Sequence, residues 1–248
     1  MAFAVLTRED VARYAAALAP LGLDAVALAV TRAHATDRDA DALRRALALD
    51  HAAVVVASAR AAAELGRAGL FDRAGVAVWA IGPATAHALA ELGIAARTPP
   101  PGMASGAELA RIIAATTPVR GRRVLAPRAE DGRMELIDGL RAAGADVVDV
   151  VAYRTLPIPA AELAGARGHG LELLRDRRAA VCALFAPSQV AALAALVPLG
   201  ATGAAYCAIG ETTAAALRAA GVAEVAVAAE PTPEGIARAA AAVYPSRS

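Results

Sequence analysis

The stretch VWAIGPATAHAL, residues 78–89, occurs a second time as YCAIGETTAAAL, residues 206–217. Gly210 follows Gly82 by 128 residues, and Gly221 follows Gly93 by the same interval. In both copies a short apolar run ends in Ile-Gly and leads into an alanine-rich segment, which predicts a buried strand followed directly by a helix. A strand–helix unit that returns at a constant interval indicates an internal duplication.

The repeat extends toward the N-terminus, because residues 55–60 match residues 183–188 at the same interval. Looser matches relate residues 5–8 to 124–128 and residues 102–109 to 230–236. Apolar runs predict buried strands at 4–6, 54–57, 76–81, 124–126, 181–185, 205–209 and 225–228. Apolar spacing of three and four predicts helices at 11–19, 40–48, 84–92, 107–115, 134–142, 189–196, 212–220 and 233–243. This alternation predicts an α/β fold of two doubly wound parallel-sheet lobes.

Composition disfavours several classes of function. A net charge of +1 and 3% aromatic residues leave neither the basic face nor the stacking platform of a nucleic-acid-binding protein. The chain has no lysine, no GxGxxG or P-loop pattern and no GxSxG, which argues against Schiff-base chemistry, nucleotide binding and serine hydrolysis. Its two cysteines and four histidines are scattered, so we expect no metal and no cofactor. With no signal-peptide pattern and no apolar run of about 18 residues, we expect a cytoplasmic protein without membrane contact.

The repeated turns predict where a ligand binds. Ligands of open α/β sheets lie beyond the carboxyl ends of the strands, where N–H groups at helix N-termini attract anions. Candidate binding residues at such junctions are Ser58, Arg60, Gly82, Thr85, Ser105, Gly106, Ser188, Gln189, Gly210, Thr212, Thr213, Thr232 and Gly235. Arg8 and Arg128 end equivalent predicted strands and Arg133 follows nearby, so all three are candidates for binding carboxylates. The alternative is structural, since Ser and Thr commonly cap helices and glycine permits tight turns.

The order of these motifs resembles the uroporphyrinogen-III synthase family. The resemblance rests on Val5-Leu6-Thr7-Arg8, on the strand end at 121–130, on Tyr153-Arg154-Thr155, on Ile209-Gly210-Glu211-Thr212-Thr213-Ala214 and on Pro231-Thr232-Pro233-Glu234-Gly235-Ile236. It implies a cofactor-free lyase that closes hydroxymethylbilane, a linear tetrapyrrole, into uroporphyrinogen III with inversion of ring D. It adds Thr7 to the substrate-binding residues and makes Thr213 the candidate catalytic side chain. The products of such an enzyme feed haem, sirohaem and cobalamin.

The resemblance also implies a domain exchange. One lobe is expected to comprise residues 1–33 and 158–248, the other residues 38–152, with 34–37 and 153–157 as a two-stranded linker and a cleft between the lobes. A monomer is expected, with hydroxymethylbilane as its small-molecule substrate and transient contact with the preceding pathway enzyme. The alternatives are a non-catalytic tetrapyrrole- or anion-binding module of the same fold and a periplasmic-type two-lobed binder.

Two features depart from the family pattern. Where members usually have Phe-Thr-Ser-Pro-Ser, this chain has Leu-Phe-Ala-Pro-Ser at 184–188, and Ala57 stands where a threonine is usual in the first lobe. Some members offer a tyrosine ahead of the second turn as an acid for hydroxyl departure, whereas residues 162–178 contain none. The sequence therefore names no proton donor.

Overall fold

The computed structural model describes residues 2–69, 76–100, 105–132 and 134–244. The chain divides into two compact units: unit 1 comprises Met1–Arg32 and Leu156–Ser248, and unit 2 comprises Ala33–Thr155. In chain order the strands and helices are β1 (Ala2–Leu6), α1 (Ala12–Leu18), β2 (Leu23–Ala27), β3 (Thr31–His34), α2 (Asp37–Leu47), β4 (Ala53–Val56), α3 (Ala59–Arg67), β5 (Ala77–Ala80), α4 (Pro83–Ala90), α5 (Gly106–Thr116), β6 (Arg123–Ala129), α6 (Glu135–Ala142), β7 (Asp146–Pro157), α7 (His169–Arg175), β8 (Ala179–Leu184), α8 (Pro187–Ala194), β9 (Ala205–Ala208), α9 (Glu211–Ala219), β10 (Val225–Val227) and α10 (Pro233–Val243).

Unit 1 contains a five-stranded sheet in the order β10-β9-β8-β1-β2, with neighbouring strands parallel. The N-terminal strand β1 therefore lies in one sheet with strands from the C-terminal part of the chain. Alternate residues enter different hydrophobic clusters: Val5 and Cys182 lie in one, and Leu6 and Val181 lie in the other. Both faces of the sheet are thus buried, which is the packing of a doubly wound α/β unit.

Unit 2 repeats this arrangement with strand order β3-β7-β6-β4-β5. The series β5-β4-β6-β7 corresponds to β9-β8-β1-β2 of unit 1, and these pairs are also parallel. Val54 and Val56 enter one cluster, whereas Ala53 and Val55 enter the other. Strands β3 and β7 each begin in one unit and end in the other. The predicted fold class, two parallel-sheet α/β units built from one duplicated module, is confirmed.

Several elements depart from the sequence-based prediction. The predicted set omits β2, β3, β7, α3 and α7, all of which form. Asp24 divides β2 and Asp149 lies among the valines of β7, so a charged residue obscures each strand although apolar residues continue at 25–30 and 150–153. Within the described residues no helix is both long enough and apolar enough to cross a membrane.

Candidate functional site

Three helices that follow the repeated strands start without a side-chain cap in the described chain. Their N-cap residues are Gly82 for α4, Ala186 for α8 and Gly210 for α9. A Cβ added to Gly82 or Gly210 would meet no atom within 4 Å, so the space beside these two caps is open. Pro83 and Pro187 have no N–H, and the N–H groups of Gln189 and Thr213 bond to the carbonyls of Ala186 and Gly210. The positive end of each helix nevertheless remains open to acceptors on a ligand, and carboxylates suit it best.

Three other candidates are caps, as the structural alternative predicts. Ser58, Ser105 and Thr232 each accept a hydrogen bond from the backbone N–H three residues further on, at 3.0–3.2 Å. Ser105 also forms a reciprocal capping box with Glu108, and the hydroxyl's hydrogen bond lowers the pKa of that carboxyl below its usual value. The hydroxyls of Ser105 and Thr232 are thus explained within their own helices, whereas the Ser58 hydroxyl also lies near a hydroxyl of another strand.

Two candidate glycines permit close packing. A Cβ on Gly235 would lie 2.1 Å from the carbonyl oxygen of Glu230, and one on Gly106 would lie 3.0 Å from the backbone nitrogen of Leu136. Glycine is required at 235 because a Cβ at that distance cannot be accommodated without backbone movement. Gly106 therefore lets the start of α6 pack closely against α5, and Gly235 lets the first turn of α10 approach the Glu230 carbonyl.

Thr85 and Thr213 are the most informative of the duplicated pairs. They occupy the third position of α4 and of α9, and they are 4% and 3% exposed. Neither hydroxyl has a hydrogen-bond partner within the residues that the structure describes, and neither oxygen is fully enclosed, so an acceptor or donor on a ligand can reach both. Because glycine is the N-cap in both helices, neither threonine is needed as a cap. The neighbouring Thr212 is exposed.

Thr7 and Gln189 bind each other and the sheet. The buried Thr7 hydroxyl donates to Gln189 Oε1 at 2.6 Å, and that oxygen also accepts the Phe185 N–H at 2.8 Å. This arrangement ties the end of β1 to the start of α8, where Ser188 lies half-buried on the first turn. The carbonyl of Gln189 is thus used by the fold, and its role here is to hold the strand ends together.

The paired arginines have different environments. Arg8 is half-buried, and its Nη1 donates to the Tyr14 hydroxyl at 3.1 Å. Arg128 instead binds both carboxylate oxygens of Asp149, at 2.7 and 3.2 Å, and donates to backbone carbonyls of its own turn. Its charge is therefore neutralised inside unit 2, contrary to the expectation that it is a free carboxylate-binding cation. Arg60 is exposed, and Arg133 lies outside the described residues.

Four sequence-predicted residues meet at one cavity of about 300 Å³ in unit 2. Its lining includes Ser58, Ser105, Gly106 and Arg128, together with Tyr153. The Tyr153 hydroxyl lies 3.1 Å from Ser58 Oγ. This cavity stands at the carboxyl ends of β4 and β6, where an α/β sheet binds its ligands.

Comparison with known proteins decides the family. A family model described as uroporphyrinogen-III synthase HemD matches residues 12–238. This chain belongs to the uroporphyrinogen-III synthase family. It is therefore an enzyme of porphyrin biosynthesis with synthase function, and no match favours the non-catalytic alternative.

Solved structures of the family share the fold. The uroporphyrinogen-III synthetase of Helicobacter pylori matches with a TM-score of 0.66 at 16% identity, over 98% of this chain and 99% of that chain. A mutant uroporphyrinogen III synthase of Thermus thermophilus matches with a TM-score of 0.57 at 21% identity, over 92% of each chain. No curated protein sequence matches significantly.

Within this synthase family member, Tyr153 is the polar residue that the sequence-based list of candidates missed. The sequence identifies it only within the Tyr153-Arg154-Thr155 motif, whereas the pattern of some family members places a tyrosine between residues 162 and 178, where this chain has none. The signal was its position near the end of β7, beside the end of β6, because register brings Tyr153 opposite Ala129. Its neighbour Arg154 has a structural role, since it binds the buried Asp39 and also Glu130.

Proposed function

We propose that this chain catalyses the dehydrating cyclisation of hydroxymethylbilane to uroporphyrinogen III as a lyase. The observation that carries the proposal is the duplicated pair of glycine-capped helices, α4 and α9, each with a largely buried threonine whose hydroxyl oxygen has no partner among the described residues and is not fully enclosed. Both helix starts suit a substrate rich in carboxylates.

The reaction places one demand on the protein. Loss of the terminal hydroxyl as water leaves an electrophilic azafulvene on ring A. Attack by the substituted carbon of ring D gives a spiro intermediate, whose fragmentation and reclosure invert ring D. Direct closure without inversion gives isomer I. The protein must therefore hold a flexible polyanion so that attack by the substituted carbon of ring D wins over direct closure. Main-chain N–H groups at fixed helix starts supply that positioning without a dedicated nucleophile.

Thr213 is the side chain that we propose contacts the substrate, with Thr85 as its counterpart in unit 2. The test is Thr213→Val, which keeps the shape and removes the hydroxyl. Because no hydrogen bond within the described residues is lost, we expect a melting temperature close to that of the wild type. We expect kcat/KM for isomer III to fall about 10-fold or more, since a hydrogen bond to a charged group is lost.

The matched control is Thr202→Val in the same unit. The Thr202 hydroxyl lies 2.9 Å from the Tyr206 hydroxyl in the core, so its removal should lower the melting temperature and leave the ratio of isomers III and I unchanged. A Thr213→Val enzyme that is destabilised yet keeps its isomer ratio would end the functional claim.

Tyr153 is the residue that we propose as the acid for hydroxyl departure. Its phenol bonds to Ser58 and faces the same cavity as the candidate binding residues of unit 2. Tyr153→Phe should lower kcat about 100-fold or more with little change in KM, because it removes a proton donor but not a charge. Tyr244→Phe, which changes a tyrosine beside a different cavity, should leave kcat unchanged. Wild-type kcat in Tyr153→Phe would exclude the assignment.

A further inference from the structure

A second cavity, of about 540 Å³, opens at the carboxyl ends of β1 and β2 within unit 1. Its walls come from the turn after β1, from the end of β2 and from residues 158–167. The volume lies within the range of ligand pockets, so the cavity has room for a substituted ring or an acidic side arm.

The charges on its wall do not cancel. Arg32 is neutralised by Glu162, with Nη1–Oε2 at 2.5 Å and Nη2–Oε1 at 3.2 Å. Arg167 has no hydrogen bond or ion pair to any residue that the structure describes, and Arg8 has no carboxylate partner among them. Glu9 is the remaining acid on the wall. Two cations therefore face one carboxylate, and this excess of positive charge favours an anionic ligand.

Arg8 is held in place without being neutralised. Its guanidinium carbon lies 4.9 Å from the centroid of the Tyr14 ring and 4.8 Å from that of Phe185. The two rings meet edge to face, with centroids 5.1 Å apart. Aromatic faces orient a guanidinium while leaving its charge and most of its five N–H donors available. Such a pre-positioned fork matches the two oxygens of a carboxylate.

Phe185, which packs against Arg8 on the cavity wall, is also one of the residues at which this chain departs from the family's Phe-Thr-Ser-Pro-Ser motif. It occupies the place where the resembling motif has threonine, between Leu184 and Ala186. A hydroxyl that a carboxylate could reach is absent at this position, and an aromatic ring that orients Arg8 stands there instead.

We propose that Arg8 and Arg167 form a carboxylate-binding subsite in unit 1, with Tyr14 and Phe185 as positioning residues for Arg8. The subsite takes one acetate or propionate arm of the substrate, and in that respect the inference rests on the proposed function. Phe185 thereby compensates for the polar group that the turn before α8 lacks.

The experiment measures equilibrium binding of uroporphyrin III, the oxidised macrocycle with eight carboxylates, alongside isomer formation from hydroxymethylbilane. Arg8→Gln should raise Kd about 10-fold or more, and Arg167→Gln about 3- to 10-fold, because each removes a charged donor. Phe185→Leu should raise Kd and KM about 3- to 10-fold with kcat unchanged, since it frees the guanidinium without removing it. Phe185→Tyr, which keeps a ring, should restore wild-type values.

Arg13→Gln is the matched control, because Arg13 is an exposed arginine of unit 1 away from the cavity wall. If Arg8→Gln does not fold, Arg8→Lys is measured instead and should still weaken binding, because an ammonium cannot form the bidentate fork. The subsite would be overturned, and the proposed function would stand, by one pair of results: the wild-type enzyme makes isomer III, and the cavity variants bind uroporphyrin III with the same Kd as Arg13→Gln. Wild-type enzyme that binds uroporphyrin III through these arginines but makes no isomer III would sink the proposed function alone. Wild-type enzyme that neither binds nor cyclises would overturn both.

Discussion

The substitution Asp39→Asn should destabilise unit 2 more than its single lost charge suggests. Asp39 is 5% exposed at the start of α2, and its Oδ2 receives Thr36 N–H at 2.9 Å, the Thr36 hydroxyl at 2.7 Å and Arg154 Nη1 at 2.5 Å. Burial raises the pKa of this carboxyl, but the hydrogen bonds from Thr36 and the Arg154 guanidinium outweigh burial and hold the pKa below its usual value. Asparagine keeps the shape and removes the charge.

The magnitude follows from the partners that remain. Breaking a buried ion pair costs about 3–5 kcal/mol, and a helix cap adds about 1 kcal/mol. Here Arg154 is 30% exposed and keeps Glu130 at 3.0 Å, and asparagine retains part of the cap. We therefore expect Asp39→Asn to lower the free energy of unfolding by about 2–4 kcal/mol near neutral pH.

The assay is urea denaturation followed by the fluorescence of Trp79, the single tryptophan, which lies on β5 of the same unit. The control is Asp41→Asn, because Asp41 pairs with Arg44 on the surface of the same helix with 55% of its side chain exposed. An exposed pair of this kind contributes about 0.5 kcal/mol or less.

The pH dependence supplies a second criterion. A carboxyl whose folded-state pKa is depressed stabilises the fold fully above its unfolded pKa, and this stabilisation is lost as the pH falls through the folded pKa. The gap between wild type and Asp39→Asn should therefore be constant above about pH 5 and narrow below about pH 4. Equal losses in Asp39→Asn and Asp41→Asn, or a gap that persists in acid, would refute the reasoning.

Three further outcomes are expected. Gly235→Ala should lower the melting temperature markedly, because its Cβ would lie 2.1 Å from the Glu230 carbonyl oxygen; calorimetry that finds an unchanged melting temperature would contradict this packing. Burial raises the pKa of Cys182 and raises that of Cys207 to about 12, so both thiols should resist a disulfide reagent until urea unfolds unit 1, and rapid labelling of native protein would disprove their burial. Trp79 emission should stay blue-shifted in the native protein, because the ring is buried, and a solvent-exposed spectrum would count against the core of unit 2.

The duplication is the part of the fold that sequence predicts best. A constant interval of 128 residues relates β5 to β9 and α3 to α8, and the members of each pair begin at positions that this interval connects. The same interval relates Gly82 to Gly210, which are the N-cap residues of α4 and α9. In both copies the dipeptide Ile-Gly marks the point where the strand ends and the helix begins. Strand β7 was not predicted in this way, because Asp149 divides its apolar residues into the short runs 147–148 and 150–153, and neither run indicates a strand of 12 residues.

The side-chain partners at the strand ends were beyond sequence analysis for a different reason. Thr7 bonds to Gln189, 182 residues away in sequence, and Arg128 bonds to Asp149, 21 residues away. The register of the parallel strands decides which strand ends meet. The sequence motifs identify Arg128 and Thr7, but they do not show whether each side chain contacts a ligand or other residues of the protein. Thr213 is the opposite case, a side chain whose hydroxyl has no partner among the described residues. Only the structure shows this, together with its burial and the glycine cap of its helix.

The duplicated arginines explain why the two units should not contribute equally to binding carboxylates. In unit 2 the strand beside β6 supplies Asp149, which cancels Arg128. In unit 1 the corresponding strand β2 has a single acid, Asp24, and the register places it opposite Phe3, near the amino end of β1 and far from Arg8. The cation of unit 1 is thus left unneutralised by its own sheet. Substitution of Arg8 should consequently weaken binding of a polycarboxylate more than substitution of Arg128, whose loss would act chiefly by leaving the partly buried Asp149 without its partner.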